Sequence, residues 1–217
     1  MLLEIENLQY DINEKPLFSG FNLSIEERNN HLLVGPSGSG KTTLINLICG
    51  LLSPEKGAIR VAGHDIAAVS ESGRDKIRRE HIGIVFQTLR LVSALDLSAN
   101  LLLAQRLSRG TTDASLITSL LERLGIAHRA KAKPYQMSQG EAQRAAIARA
   151  LVTRPRLLIA DEPTSALDQA NARQVMNLLL ECTADYGATL LIATHDDRLT
   201  PLFPNRIVLT EPMSKAA

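Results

Sequence analysis

One stretch decides the fold of this chain of 217 residues, and it reads Gly35-Pro36-Ser37-Gly38-Ser39-Gly40-Lys41-Thr42-Thr43. The apolar run His31–Val34 precedes it, and apolar residues at helical spacing follow it from Thr42 to Leu52. The stretch fits the pattern G-x-x-x-x-G-K-[S/T], in which glycines let the backbone turn tightly so that several N–H groups converge on one anion. A strand, a glycine-rich turn and a helix in this order predict a phosphate-binding loop.

The residue types in this loop suit the phosphates of a nucleotide. The helix that follows presents unpaired N–H groups and the positive end of its dipole to an anion. Lys41 would supply a mobile positive charge to the β- and γ-phosphates, and the hydroxyl of Thr42 is suited to Mg²⁺. We therefore predict that residues 35–43 bind the phosphates of a nucleoside triphosphate.

A second signal lies downstream in the run Leu157-Leu158-Ile159-Ala160-Asp161-Glu162. A carboxylate just past a buried strand lies at the edge where open α/β sheets bind ligands. Asp161 is predicted to hold Mg²⁺, and Glu162 to orient or deprotonate an attacking water. The alternative is an acidic turn before Pro163, and the phosphate loop favours the nucleotide interpretation.

Apolar runs alternate with helical patterns along most of the chain, which predicts an α/β fold with a mainly parallel sheet covered on both faces. The first thirty residues read instead as strands and turns of an N-terminal antiparallel part. Residues 88–150 are helical without strands and are predicted to form an inserted helical subdomain. No linker divides the chain, so we expect a single domain over residues 1–217.

Composition excludes several classes of protein. The 24 Lys and Arg against 23 Asp and Glu give a net charge of +1, which removes the electrostatic argument for a nucleic-acid partner. Cys49 and Cys182 stand alone in apolar surroundings, so buried thiols are expected rather than a disulfide or a metal site. The apolar runs are shorter than the roughly 20 residues of a membrane helix, and no secretory signal is recognised. We expect a cytoplasmic protein that reaches a membrane through a partner.

The segment Met137-Ser138-Gln139-Gly140-Glu141-Ala142-Gln143-Arg144, just upstream of Asp161, resembles the signature motif of the ATP-binding-cassette ATPases. The resemblance covers nearly the whole chain and implies a P-loop NTPase core that binds ATP and Mg²⁺. Ser138 and the Gly140 N–H lie at the start of a helix, which makes a second anion site. In the family this site closes over the γ-phosphate bound to the other subunit, so the resemblance implies an ATP-dependent homodimer. Gln139 and Glu141 depart from the commonest signature, which has Gly and Gln at those positions.

Further site residues carry over from the family one at a time. Gln87 resembles the glutamine that contacts Mg²⁺ or the attacking water, and His195 resembles the histidine at the γ-phosphate. The run Ser165-Ala166-Leu167-Asp168 resembles the loop that contacts the opposite subunit. Tyr10 matches the aromatic residue that stacks on adenine, with a packing role as the alternative.

The resemblance is greatest to the lipoprotein-releasing and macrolide-exporting branch of the family. It implies an ATPase that drives an integral-membrane permease, in export or in mechanical work on periplasmic substrates, from the inner face of the cell membrane. Thr88–Val92 could line the groove that receives the permease, or its leucines could pack inside the protein. The alternatives are a soluble cassette of the iron–sulfur assembly or DNA-repair type, and a nucleotide-dependent binding module with little turnover.

Overall fold

Nine strands in two sheets and six α-helices make up the part of the chain that the structure, a computed structural model, describes. That part is residues 1–165 and 167–210, apart from the side chains of Asp197 and Arg198. The strands are β1 (Leu3–Ile12), β2 (Lys15–Ile25), β3 (His31–Val34), β4 (Lys56–Val61), β5 (His64–Asp65), β6 (Ile82–Val85), β7 (Leu157–Asp161), β8 (Thr189–Thr194) and β9 (Asn205–Val208). The α-helices are α1 (Lys41–Ile48), α2 (Glu71–His81), α3 (Leu97–Arg109), α4 (Ala114–Arg123), α5 (Gln139–Leu151) and α6 (Gln169–Asp185), and short 3₁₀ helices cover Ala127–Arg129, Pro134–Gln136 and Asp197–Leu202.

The first sheet is antiparallel and the second is parallel, as the sequence predicts. In the first the strand order is β2-β1-β4-β5, and in the second it is β6-β7-β8-β3-β9, with every pair in the second sheet parallel. β7 and β8 are buried along their whole length, which explains why their residues are apolar, apart from Asp161, Thr189 and Thr194 at the strand ends, rather than alternating. The α/β fold class is therefore confirmed.

Two hydrophobic clusters cover the two faces of the parallel sheet. Successive residues of a strand point to opposite faces, so Leu32 and Leu158 belong to one cluster, and Leu33 and Ile159 belong to the other. The first cluster continues into α3, α4 and α5, while the second continues into α1 and the antiparallel sheet. The parallel sheet therefore lies between the helical block and the N-terminal part, and each of them packs against one of its faces.

Only helices and loops connect β6 to β7 within the described residues, which matches the strand-free character of residues 88–150. The division of this block into a subdomain of its own stays a prediction. Leu89 and Leu91, predicted to line a groove or to pack inside, are partly buried and pack against the first cluster. No α-helix in the described ranges is both long and apolar enough to cross a membrane.

Both cysteines are free and buried, as predicted. Burial raises the pKa of the Cys49 thiol to about 12 and that of the Cys182 thiol to about 11, so neither is a thiolate at neutral pH. The cysteines therefore act as small apolar core residues.

Candidate active site

The carboxyl ends of four parallel strands meet at one edge of the sheet. Val34 of β3 is in register with Thr194 of β8, and Asp161 of β7 is in register with Ala193 of β8. The phosphate loop follows β3, and Gln87 follows β6. Because the strands are parallel, residues distant in sequence are brought to the same edge, where α/β sheets bind ligands.

The phosphate loop ends in a helix whose first amides have no partner within the described part of the protein. Gly40 is the residue before α1, its φ is 95°, and no side chain caps this helix. The backbone N–H groups of Lys41, Thr42 and Thr43 make no hydrogen bond within the described residues. The Nζ atom of Lys41 donates to the carbonyl oxygens of Gly35 at 2.7 Å and Pro36 at 3.0 Å, so the ammonium lies over the loop. The loop thus presents free amides and a charged amine to an anion.

Gly35, at the start of the predicted loop, is closely packed against Ser39 and Leu209. A Cβ atom on Gly35 would lie 2.5 Å from the Oγ atom of Ser39 and 2.6 Å from the carbonyl oxygen of Leu209, so only glycine fits there. Ser39 is buried, and its Oγ atom has no hydrogen-bond partner within the described part of the chain. Gly35, Pro36 and Ser39 do not line the cleft itself.

Thr42 and Asp161 form the predicted metal position. The Thr42 hydroxyl donates to Oδ2 of Asp161 at 3.1 Å, and Oδ1 of Asp161 is buried without a hydrogen-bond partner among the described residues. Burial raises the pKa of this carboxyl above its usual range, which is the cost of placing an unpaired acid there. A hydroxyl and a carboxylate oxygen are the hard ligands that Mg²⁺ prefers, so these residues fit that ion.

Glu162 is held by three hydrogen bonds. Its backbone has a φ of 50°, in the left-handed region, directly after β7. Its Oε1 atom lies 2.7 Å from Nδ1 of His195 and accepts from the His195 backbone N–H at 3.2 Å, while Oε2 accepts from the buried Thr194 hydroxyl at 3.1 Å. The sequence predicts Glu162 and His195 for this site, and the structure brings them into contact.

A cleft of about 580 Å³ contains most of the predicted residues. Tyr10 is not among the residues that line it, so its stacking on adenine stays a prediction. Tyr10 pairs with Phe18 of β2 and, partly buried, packs against the core of the antiparallel sheet, which is the alternative given for it from the sequence. Ile12 and Leu17 border the cleft instead. The lining residues are Ile12, Leu17, Ser37, Gly38, Gly40, Lys41, Thr42, Thr43, Gln87, Asp161, Glu162 and His195.

Ser138 and Gly140 lie outside the cleft, at the start of α5. The helix begins at Gln139, with Ser138 as its N-cap. Ser138 Oγ accepts from the Glu141 N–H at 3.3 Å, and the Glu141 carboxylate accepts from the Ser138 N–H at 2.8 Å, which is a capping box. The amides of Gln139 and Gly140 have no partner within the described residues. The residues for the second anion site are therefore together, and their ligand stays a prediction.

Asp168 also lies outside the cleft and caps α6. Its carboxylate accepts from the backbone N–H groups of Ala170 and Asn171, each at 3.0 Å, and those bonds lower its pKa. Its contact with a nucleotide or a second subunit stays a prediction. Ala166 of the same predicted loop lies outside the described residues.

Sequence reasoning missed Ile12, Leu17 and Thr194. Thr194 directly precedes His195 at the end of a fully buried strand, and a hydroxyl in that position is a signal for a side chain that bonds within the site. Ile12 and Leu17 carry no such signal, because they are aliphatic residues in strands.

Comparison with known proteins shows the family of the chain and agrees with its fold. The family model described as "ABC transporter" matches residues 18–165. The lipoprotein-releasing system ATP-binding protein LolD of Hydrogenovibrio crunogenus is 36% identical over 217 residues, covering 97% of this chain and 94% of that protein. The ABC transporter ATP-binding protein YtrE of Bacillus subtilis is 34% identical, covering 94% of this chain and 89% of that protein.

A solved structure described as the dimeric structure of MJ0796, a bacterial ABC transporter cassette, superposes with a TM-score of 0.86 at 31% identity. It covers 98% of this chain and 97% of that chain. The same cassette in a dimeric post-hydrolysis state bound to ADP and Pi gives a TM-score of 0.85, also at 31% identity, and covers 95% of this chain and 94% of that chain. The family match spans more than half of the chain and the relatives cover nearly all of it, so the chain belongs to the ABC transporter family as an ATP-binding and ATP-hydrolysing transporter subunit.

Proposed function

We propose that two copies of this chain enclose two ATP molecules, each with Mg²⁺, and that hydrolysis drives a permease that acts on lipoproteins or similar periplasmic substrates. The observation that carries the proposal is the division of the predicted nucleotide ligands between two places. The cleft holds the loop, the metal ligands and Glu162, while Ser138 and Gly140 present free donors elsewhere. A second copy would supply the donors that each cleft lacks.

Within one cleft, the residues of this chain divide the chemical work. Lys41 and the free amides at the start of α1 hold the negative charge of the phosphates, which favours phosphoryl transfer mainly through electrostatics. Thr42 and Asp161 hold Mg²⁺, with Gln87 at the rim, and the ion when bound neutralises charge on the phosphate oxygens. Glu162 orients the attacking water and accepts its proton.

Thr194 and His195 keep the Glu162 carboxylate in place for this step. Each of its oxygens is bonded, Oε1 to His195 and Oε2 to Thr194. His195 is exposed at the cleft, so the same imidazole can also contact the γ-phosphate once ATP is bound. His195 therefore links Glu162, which accepts the proton of the attacking water, to the γ-phosphate.

The test is the oligomeric state of the Glu162→Gln variant by light scattering, with ATP and Mg²⁺. We expect this variant to bind ATP, to hydrolyse it at least about a hundredfold more slowly than wild type, and to accumulate as a dimer. Wild type should stay mainly monomeric as it turns over, and the variant with ADP should stay monomeric. A variant that is folded and binds ATP tightly, yet never dimerises, would contradict the proposal.

The permease is proposed to dock in a groove of about 200 Å³ between α2, β6, α3 and α5. Leu107, which is 60% exposed, borders this groove together with Arg78, Arg79 and Arg149. An exposed leucine among cationic side chains suits a helix with an apolar face and acidic flanks. The groove is adjacent to Phe86, and hence to Gln87 of the cleft, so docking and nucleotide binding share a border.

Flotation with inner-membrane vesicles from the native cells tests this placement. Leu107→Asp should reduce the amount of protein that floats with the vesicles, and should leave the ATPase rate in solution unchanged. Val208→Asp is the matched control, because Val208 is equally exposed on β9, at the opposite edge of the sheet from β6. Docking in this groove would be contradicted if the two variants floated equally well. It would also be contradicted if wild type bound equally to untreated vesicles and to vesicles whose surface proteins had been removed with protease. On this proposal the protein lies at the cytoplasmic face of the membrane.

A further inference from the structure

Arg129 contacts the start of α5 from outside the helix. It ends the 3₁₀ helix Ala127–Arg129, and its Nε atom donates to Oε1 of Glu141 at 2.7 Å. His128 approaches the same oxygen through Nε2 at 3.1 Å. The side chain of Glu141 is 15% exposed, whereas that of Arg129 is 38% exposed. A cation thus covers the one carboxylate in the first turn of this helix.

The Glu141 carboxylate is ionised under all ordinary conditions. The hydrogen bonds from Arg129 and from the Ser138 backbone N–H hold its pKa at about 2. A negative charge in the first turn stabilises the helix itself, since it complements the helix dipole. The same charge repels any second anion that approaches the free amides of Gln139 and Gly140, within one turn of it.

We propose that Arg129 is a positioning residue for closure of the dimer: it neutralises Glu141 and holds it against Ser138, so that the start of α5 can accept the γ-phosphate bound to the second copy. This inference rests on the proposed function, because only the two-ATP dimer brings a phosphate to α5. On this proposal Arg129 acts without contacting a nucleotide itself, because its effect on the phosphate is transmitted through Glu141.

Arg123 forms ion pairs that have no proposed function in dimer closure. Arg123 on α4 bonds Glu181 at 3.2 Å and Asp185 at 3.0 Å, and both acids belong to the C-terminal end of α6 rather than to a helix start that is predicted to bind phosphate. Exposed pairs of this kind contribute little to stability. Arg123→Ala therefore serves as the matched control for the loss of a comparable arginine.

The experiment uses the full chain with Glu162→Gln and measures the ATP concentration that gives half-maximal dimer by light scattering. To this parent are added Arg129→Ala, Arg129→Lys, Glu141→Gln, the double change Arg129→Ala with Glu141→Gln, and Arg123→Ala. Binding of ATP to the monomer at low protein concentration and the thermal midpoint are recorded for each variant.

Arg129→Ala should raise the half-maximal ATP concentration about tenfold, the order expected for two like charges close together near a protein surface. ATP binding by the monomer should not change. The double change should restore the parent value to within about twofold, because Gln at this position keeps the capping box without the charge. Arg129→Lys should give a half-maximal ATP concentration close to that of the parent, and Arg123→Ala should give the same value as the parent.

Salt gives a readout that a structural role would not move. The defect of Arg129→Ala should shrink between about 0.05 M and 0.5 M salt, as screening weakens the repulsion. The inference is overturned if Arg129→Ala dimerises like the parent, if the double change is as defective as Arg129→Ala, or if salt leaves the defect unaltered. Failure of the parent itself to dimerise would overturn the proposed function, and this inference with it.

Discussion

The starts of α1 and α5 are both helix N-termini that are suited to phosphate, and they are built in opposite ways. At α1 the residue before the helix is Gly40, no side chain caps it, and its first turn carries no acid. At α5 Ser138 and Glu141 cap the helix reciprocally, and Arg129 covers the acid. The first site is open to a ligand as it stands, while the second already carries an anion of its own.

The two helix starts differ because the phosphate that each is proposed to bind comes from a different copy of the chain. The start of α1 faces a cleft that also contains Lys41, Asp161 and Glu162, so one copy of the chain suffices to bind nucleotide there. On the proposed function, α5 meets its phosphate only when a second copy arrives. Until then its amides face solvent, and the capping box keeps the helix end stable. The predictions below test this contrast.

Lys41→Ala should have the largest effect, because it removes the charge that the α1 site has and the α5 site lacks. Charge-assisted bonds to two phosphates are lost, so ATP affinity of the monomer should fall by about a hundredfold or more, as measured by calorimetry. Arg129→Ala should leave that affinity unaltered. Equal losses of monomer affinity in the two variants would erase the distinction between the sites.

Gly40→Ala should come next, with about a tenfold loss of ATP affinity. The backbone at Gly40 has a φ of 95°, which L-residues adopt at a cost of about 1–2 kcal/mol, and a Cβ atom would lie 3.0 Å from Cδ2 of Leu17. Gly38→Ala is the matched control, because its φ is 84° but a Cβ atom meets nothing within 4 Å. Gly38→Ala should therefore be milder. The reverse order would show that contact with Leu17 does not limit the loop.

Ser138→Ala should leave ATP binding by the monomer intact and weaken only the dimer, by about fivefold. Loss of the cap also costs about 1 kcal/mol of stability, which lowers the thermal midpoint by about 2–4 °C. Ser138→Asn separates the two effects, since Asn keeps the cap but lacks the hydroxyl. We expect it to restore stability without restoring dimerisation by light scattering. Restored dimerisation would mean that Ser138 acts through the cap alone.

The sequence predicts the α1 site almost completely, for a physical reason. A phosphate loop is a local structure, so its glycines, Lys41 and Thr42 are adjacent in the chain. Asp161 and Glu162 lie far from His195 in the chain, but all three lie at or directly after the end of a buried strand, and parallel strands bring such ends together. The strand pattern indicates Asp161 and Glu162, whereas His195 is identified through the resemblance to the ATP-binding-cassette ATPases.

What could not be predicted depends on register and on contacts across loops. The pairing of β1 with β2 is irregular in register, so the strand pattern of β1 does not show that Ile12 lines the cleft. Arg129 contacts Glu141, which lies 12 positions later in the chain, and its charge gives no sign of its partner. β9 was also missed, because only Ile207 of its four residues is buried.

Ile12→Tyr should have the smallest effect, and its sign is opposite to the others. Ile12 is 42% exposed at the cleft in the α1 region, so a tyrosine there would offer a ring to the adenine, worth about a threefold gain in ATP affinity of the monomer. Tyr10→Leu should leave ATP affinity unchanged and lower only the thermal midpoint, because Tyr10 packs against the core. Titration with ATP gives the affinity of both variants, and the base-free ligand pyrophosphate is the control, since its affinity should not respond to either change. If Tyr10→Leu weakens ATP binding and Ile12→Tyr does nothing, the aromatic predicted from sequence reaches the base after all. ATP binding at the α1 site would then depend on a displacement of β1.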